Sequence, residues 1–474
     1  MTNSDLLNPD RLFPAEPGVR SIARSLYETV ADLPIISPHG HTDPAWFATN
    51  EPFGNPAELL ITPDHYVYRM LYSQGVSLPE LGIAPTTGDS PSVENDPRQV
   101  WQRFAEHYHL FRGTPTRMWF DHVFFEVFDL DEPLNAETAE NYYQAIDAAL
   151  KSAEFLPRAL FDRFGIELLA TTESPLDNLE HHAAIMADTS WSGRVVTTFR
   201  PDPVVDPEFE GFHDNVATLA ALTHGDTSTY EGYLEALRVR RAFFKDHGAT
   251  ATDHGHPTAG TANLSLAEAS DLFQKVMAGT TTPADAELFR GQMLTEMAAM
   301  SLEDGLVMQI HSGSYRNHNP WLFEHFGRDR GADIPTQTGY VDGLKPLLDR
   351  FGNEKDLTVI VFTLDETAYS RELAPLAGHY PCLKLGPAWW FHDSPEGMRR
   401  FREQVTETAG FYNTVGFNDD TRAFLSIPAR HDMARRIDCG FLGRLVAEHR
   451  MTQTEAEEVA HTLAYAAAKE AYRL

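Results

Sequence analysis

Eight short apolar runs, each ending in polar residues and followed by a longer helical stretch, constrain this chain more than any other feature. They occupy 34–39, 166–171, 195–200, 249–254, 306–311, 358–364, 382–387 and 414–418. A short buried strand followed by a helix is the unit of a parallel sheet, and eight such units close a (β/α)₈ barrel. The fourth run begins Ala249-Thr250-Ala251-Thr252 and is the least apolar of the set. The expected class is therefore α/β, a distorted TIM barrel. At 474 residues the chain is long enough for such a barrel with sizeable additions.

The spacing of the runs says where the additions lie. More than a hundred residues separate the first run from the second, too many for one crossover helix. Helical patterns at 97–111, 116–128 and 136–150, with a Pro-, Ser- and Thr-rich stretch at 84–97, predict a mainly helical insertion over 70–160 covering the barrel mouth. A second enlargement at 264–300 opens with Ser265 as a helix cap and carries an amphipathic stretch at 284–300. The end of the chain, 430–474, reads as C-terminal helices, two of them from 433 onward, packing back on the barrel. All of 1–474 is expected to form one catalytic domain.

Charge narrows the partners. With 38 Lys and Arg against 69 Asp and Glu the net charge is −31, which repels nucleic acid and anionic membranes. A small anionic substrate remains compatible if arginines concentrate locally. The polar start Met1-Thr2-Asn3-Ser4-Asp5 has no signal-peptide character, and no apolar run reaches the roughly 18 residues of a membrane span. Two cysteines, Cys382 and Cys439, make no disulfide framework. These features predict a cytoplasmic protein.

In a barrel of this kind chemistry sits at the C-terminal ends of the strands. His39-Gly40-His41 closes the first run, and the two-residue repeat of a strand sends both imidazoles to one side. Asp420 lies at the same level after the eighth run, which neighbours the first in a closed barrel. His39, His41 and Asp420 could together hold a metal ion, or Asp420 could serve as a base beside one. Arg422, two residues on, could share its orientation. The alternative for any one of these histidines is a hydrogen-bonded rim residue; the pairing with Asp420 favours a metal.

The strand-end His-x-His and final Asp resemble the amidohydrolase superfamily, and finer motifs are similar to the uronate (glucuronate) isomerase family. They run in order along nearly the whole chain: His39-Gly40-His41; Asp64-His65-Tyr66 with Arg69; Thr171-Thr172-Glu173-Ser174-Pro175 and Leu179-Glu180-His181-His182; Phe199-Arg200-Pro201-Asp202; Asp253-His254; Ile310-His311 with Arg316-Asn317; Trp389-Trp390-Phe391; and Asp420-Thr421-Arg422-Ala423-Phe424-Leu425-Ser426, then Arg430-His431. The resemblance implies a distorted amidohydrolase-type barrel and reversible aldose–ketose isomerisation of D-glucuronate to D-fructuronate and D-galacturonate to D-tagaturonate. It places one divalent metal, usually described as zinc, on His39, His41 and Asp420, with no organic cofactor. It gives His65, Tyr66, Arg200 and Arg422 substrate contacts, assigns proton movement to Asp420 and Tyr66, and makes a homo-oligomer usual.

The chemistry asks for the same groups. Passing through an enediol needs a base at the hydroxyl-bearing carbon and donors where negative charge develops. Asp420 suits the first task, with Tyr66 and His65 beside it. A substrate carboxylate calls for a planar multi-donor cation such as Arg200 or Arg422, and Trp389 with Trp390 could wall the sugar face. The fourth run lacks the lysine and the sixth the histidine common in two-metal relatives, so one metal is implied, with His311 an optional further ligand. Asp253 and His254 read as rim or hydrogen-bonding groups, Arg69 as an ion-pair or substrate residue, and His107, His109, His181 and His182 as structural. Ser37-Pro38, Gly40 and Pro63 depart from the family pattern and leave room for a related sugar acid. The competing activity is a metal-dependent hydrolase on the same scaffold, such as a sugar-acid lactonase; a silent sugar-acid-binding protein is a third reading.

Overall fold

The computed structural model describes residues 7–87 and 92–474. The start Met1–Asp5 and part of the 84–97 stretch, 88–91, lie outside the described residues. In chain order the strands are β1 (Ile35–Ser37), β2 (Ile166–Glu173), β3 (Arg194–Phe199), β4 (Ala251–His254), β5 (Val307–Ser312), β6 (Ser314–Tyr315), β7 (Ile334–Pro335), β8 (Val359–Thr363) and β9 (Leu383–Leu385). Seven of them form one parallel sheet in the order β1-β2-β3-β4-β5-β8-β9, and β6 pairs antiparallel with β7 beyond the end of β5. Each of the first seven predicted runs contains one of the seven sheet strands, including the weakly apolar fourth.

Register brings the strand ends to one level. Glu173 pairs with Phe199, Thr198 with Ala251, His254 with Ile310, and His311 with Phe362. Every residue of β4, β5 and β8 is buried, as expected for strands covered by helices on one side and barrel filling on the other.

The eighth run departs from expectation. Only Thr414 bridges to Leu385, and no strand follows. The chain bends at Gly416, whose φ is +78° and where a Cβ would stand 2.8 Å from the Leu463 carbonyl oxygen. Asp420 then takes φ +38°, a region that strains a non-glycine residue. The barrel closes without a ladder: the His41 N–H donates to the Thr421 carbonyl at 3.0 Å, and the Thr42 hydroxyl donates to the same oxygen at 3.4 Å. Closure by a bent segment is what makes this barrel distorted.

The remaining elements support it. Helices Pro97–His107, Pro115–His122 and Ala139–Leu150 coincide with the predicted ones, the first two starting at Asp96-Pro97 and Thr114-Pro115 with the Asp and Thr side chains as caps. Trp101, Phe104 and Phe120 on these helices pack with Phe124 into a core that continues into Ile35 of β1, Ile166 and Leu169 of β2 and Val195 of β3. Ser265 forms a capping box with Glu268 at the start of Leu266–Met277, as its sequence position predicts. At the C-terminus, Ile427–Ala447 and a second helical stretch from Gln453 to Tyr472 bring the Tyr472 hydroxyl to the Gln309 side-chain oxygen at 2.8 Å, inside the barrel.

The helix-to-sheet packing offers a direct test. Phe244 on helix Tyr230–Asp246 is fully buried edge-on to Phe199 of β3, ring centroids 5.0 Å apart. Phe244→Ala leaves a cavity there and is expected to cost about 3–5 kcal/mol. A denaturant titration checks this, and a loss below about 1 kcal/mol would contradict the packing described.

Candidate active site

The strand ends open into a cavity of about 1150 Å³. Its lining includes His39, His41, His65, Tyr66, Glu173, Arg200, Asp253, His311, Trp389, Asp420 and Arg422, so every predicted site residue faces one space. The rim is supplied by 206–210 and 314–333, and no described residue of 70–160 is among those lining it.

At the floor, the Asp420 Oδ1 atom lies 3.2 Å from His41 Nε2 and 3.6 Å from His39 Nε2. That oxygen is buried without a hydrogen-bond partner, while Oδ2 accepts from the Trp389 indole N–H at 2.5 Å. Trp389 therefore fixes the carboxylate from one side, and the unpartnered oxygen faces the two imidazoles. Burial pushes His39 down to about 4 despite Asp420 and Asp253 nearby, which keeps it in the neutral form that binds metals. Burial alone would raise Asp420, but His39 and His41 hold its carboxyl far below the usual range. Two imidazole nitrogens and one carboxylate oxygen converging on an unsatisfied position fit a divalent cation.

Behind this group stands Asp253, which the sequence offers as either a rim or a hydrogen-bonding group. It is fully buried, accepts from His311 Nδ1 at 2.6 Å, pairs with Arg200 Nη1 at 3.1 Å and lies 3.9 Å from His39 Nε2. His311 stacks on His39 at 4.8 Å with its Nε2 buried and unpartnered, so His39, Asp253 and His311 form a second possible ligand group sharing one imidazole.

The two predicted arginines differ in state. Arg200 is engaged by Asp253 and, through Nε at 2.9 Å, by Asp202. Arg422 also lines the cavity, yet among the described residues its side chain makes no hydrogen bond or ion pair. Arg69 lies over the Phe391 ring at 4.7 Å and is not among the lining residues.

His65 and Tyr66 are delivered by the first turn of helix His65–Ser73, which Asp64 caps. His65 sits over Trp390 at 5.2 Å. The Tyr66 hydroxyl donates to Asp393 Oδ2 at 2.9 Å, and the same oxygen accepts from Arg430 Nη1 at 2.9 Å. Burial and the Asp393 carboxylate push the Tyr66 phenol well above its ordinary value, so it stays protonated. Arg430 rests 3.5 Å over Trp119. Asp393 and Arg430 are the partners that sequence reading missed: Arg430 was visible as part of a motif without a role, and Asp393, just past Trp389-Trp390-Phe391, carried no signal at all.

With this geometry in view, the comparisons are decisive. The family model for glucuronate isomerase matches residues 19–472. This chain belongs to that family. A uronate isomerase of Sphingopyxis alaskensis is 67% identical over 471 residues, covering 99% of both chains, and one of Phenylobacterium zucineum is 65% identical over 474 residues, covering 100% of this chain and 98% of the other. The crystal structure of glucuronate isomerase from Caulobacter crescentus superposes with a TM-score of 0.96 at 62% identity, over 98% of this chain and 96% of that one. The uronate isomerase structure from Thermotoga maritima gives 0.90 at 27% identity, over 98% and 99%. Family members are isomerases of the intramolecular oxidoreductase class, and the distorted barrel is the family's fold.

One wall of the cavity yields a pH test. Glu173 accepts from Thr197, and its burial outweighs that bond, raising the carboxyl to about 7. A carboxyl raised on folding stabilises the fold fully below its unfolded value near 4.5, and that contribution is lost as pH rises through 7. Glu173→Gln should therefore gain on the wild type between pH 5 and pH 8, by up to roughly 3 kcal/mol. Parallel denaturation curves at the two pH values that differ by the same amount would refute the assignment.

Proposed function

We propose that this chain interconverts D-glucuronate with D-fructuronate and D-galacturonate with D-tagaturonate, by proton transfer through an enediol(ate). The observation that carries the reading is Arg422: an arginine in a cavity rich in carboxylates, close enough to lower the Asp329 carboxyl yet bonded to no protein carboxylate, two residues from Asp420. Such a guanidinium is available for the carboxylate of a sugar acid, which it can hold through two parallel hydrogen bonds. Arg200, already braced by Asp202 and Asp253, supplies a second, fixed positive wall.

Asp420 is the carboxylate placed to carry the proton from the hydroxyl-bearing carbon to the neighbouring carbonyl carbon, and it is ionised at neutral pH. Tyr66, protonated and held by Asp393, donates toward the oxygen on which negative charge develops. His65 contacts substrate hydroxyls at the same helix start, and Trp389 holds Asp420 in place while lining the pocket. His39, His41 and Asp420 would hold one divalent cation, zinc by the preference of this donor set, which when bound polarises or anchors substrate oxygens. No organic cofactor enters the scheme.

The reading carries further parts with it. The catalytic unit is the single domain 1–474, in which the helices of 70–160 brace the mouth from behind: Trp119 carries Arg430, which reaches Asp393 and so Tyr66. The enzyme works in the cytoplasm as a homo-oligomer on a small hexuronate, without nucleic-acid or membrane partners. The net charge of −31 disfavours polyanionic partners.

Incubating the metal-loaded enzyme with D-glucuronate in deuterated water and following it by NMR tests the activity. The expected product is the ketose, with deuterium entering at the exchanged carbon to the extent that the carrier exchanges with solvent. Failure to form ketose from either uronate, with a lactone opened instead, would favour the hydrolase. Asp420→Asn and Arg422→Met should each lower kcat/KM by at least about a hundredfold, 2.7 kcal/mol or more of transition-state stabilisation, with unchanged circular dichroism. Near-normal turnover in either variant removes that residue from its role.

A further inference from the structure

Beside the catalytic floor lies a second set of buried ligating side chains that the reaction above does not use. Asp202 opens the turn after β3, His254 ends β4, and His256 follows two residues later. One carboxylate oxygen and one ring nitrogen from each histidine lie within 4.8 Å of one another, and all three residues are buried.

The histidines are short of partners. His256 is 3% exposed and neither of its ring nitrogens has a hydrogen-bond partner. His254 engages Thr252 Oγ1 through Nε2 at 3.0 Å and leaves Nδ1 buried and unpartnered. An imidazole presents one donor and one acceptor in either neutral tautomer, and each one left unmet in the interior is costly. The charged groups facing His256 from neighbouring elements are satisfied among themselves: Arg290 pairs with Asp206 and with Glu287, both at 2.8 Å. Asp202 Oδ1 is 3.9 Å from His256 Nε2, too long for a hydrogen bond. Two ligands at about 2.0–2.1 Å from one ion can stand that far apart.

We propose that Asp202, His254 and His256 bind a divalent transition-metal cation, as a structural ion sharing no ligand with His39, His41 and Asp420. Two imidazole nitrogens and a carboxylate oxygen are the donors that zinc and its neighbours in the first transition row accept. Burial keeps both imidazoles in the ligating form, moving His254 down to about 3 and His256 below its ordinary value. The ion ties the turn after β3 to the turn after β4 at the point where Arg200 is anchored. Asp202 also accepts from Arg200 Nε and, at 3.1 Å, from the Gly255 N–H. Gly255 leaves no room for a side chain there: a Cβ would stand 2.1 Å from Arg200 Nη2. Loss of the ion therefore loosens the turns that hold the arginine.

Metal counting tests this without reference to activity. The full-length protein is stripped with a chelator, loaded with Zn²⁺, freed of loose metal by gel filtration and analysed by mass spectrometry of the metal. The expected content is two equivalents per chain, falling to one in His256→Ala and in His256→Leu, and to one in the His39→Ala/His41→Ala double variant. Loading with Co²⁺ instead should show visible absorption that is reduced by about half in the His256 variants. One equivalent in the wild type, or two retained in both His256 variants, overturns the proposal. Should one variant misfold by circular dichroism, the other carries the count, and one equivalent in the wild type overturns the proposal by itself.

Discussion

One carbonyl, that of Thr421, anchors the geometry on which the cavity depends, accepting from the His41 N–H and the Thr42 hydroxyl. The His41 N–H reaches the Thr421 carbonyl at 3.0 Å and stands where a whole strand-to-strand ladder would otherwise close the barrel. Because the eighth segment is bent at Gly416 and turned at Asp420, it need not run alongside β1, and it delivers the Asp420 side chain against His39 and His41. A regular eighth strand would make a tighter barrel but would aim alternate residues inward and outward. The strained φ of Asp420 sits at the site itself, the usual place for such strain.

The charges around this closure are arranged as a chain of shared carboxylates. Asp253 links Arg200 to His311 and faces His39; Asp202 links Arg200 to the β4 turn; Asp393 links Tyr66 to Arg430. Each carboxylate is buried and would be costly if left alone, so each is held by at least one cation or donor. The consequence is selectivity among the arginines. Those occupied by protein carboxylates brace the walls, and Arg422, left out of the chain, keeps its donors for a ligand. In a protein of net charge −31 a cavity guanidinium with its donors free gives an anionic sugar acid a local reason to enter.

Much of this was legible in the sequence, for physical reasons that differ by element. Buried parallel strands leave a continuous apolar signature, so seven of the eight runs are strands, while run 414–418 kept the composition of a strand but lost its geometry to Gly416 and the Leu463 carbonyl. Helix starts at Asp96-Pro97, Thr114-Pro115 and Ser265 are readable because capping is local chemistry. His39, His41 and Asp420 could be paired because strand ends share a level. Asp393 could not, since its contact with Tyr66 spans 327 positions and no local pattern marks it. The free state of Arg422 and the bound state of Arg200 were equally invisible: both are arginines next to an aspartate in sequence, and only the fold decides which one is neutralised.

The scaffold alone does not choose between isomerase and hydrolase, since one fold hosts many chemistries. On the mechanism proposed, the choice rests on what surrounds the histidines. Hydrolysis asks for a water nucleophile and a base to activate it. Isomerisation asks for a carboxylate that takes and returns a proton on carbon, and a donor that remains protonated throughout. Tyr66 meets the second demand through its position: the Asp393–Arg430–Trp119 stack holds its hydroxyl and keeps its proton in place. Asp393 comes from the barrel loop after β9, while Arg430 and Trp119 come from the C-terminal helix and a helix inserted between β1 and β2, so barrel and additions together supply the feature that suits the site to moving a proton rather than adding water.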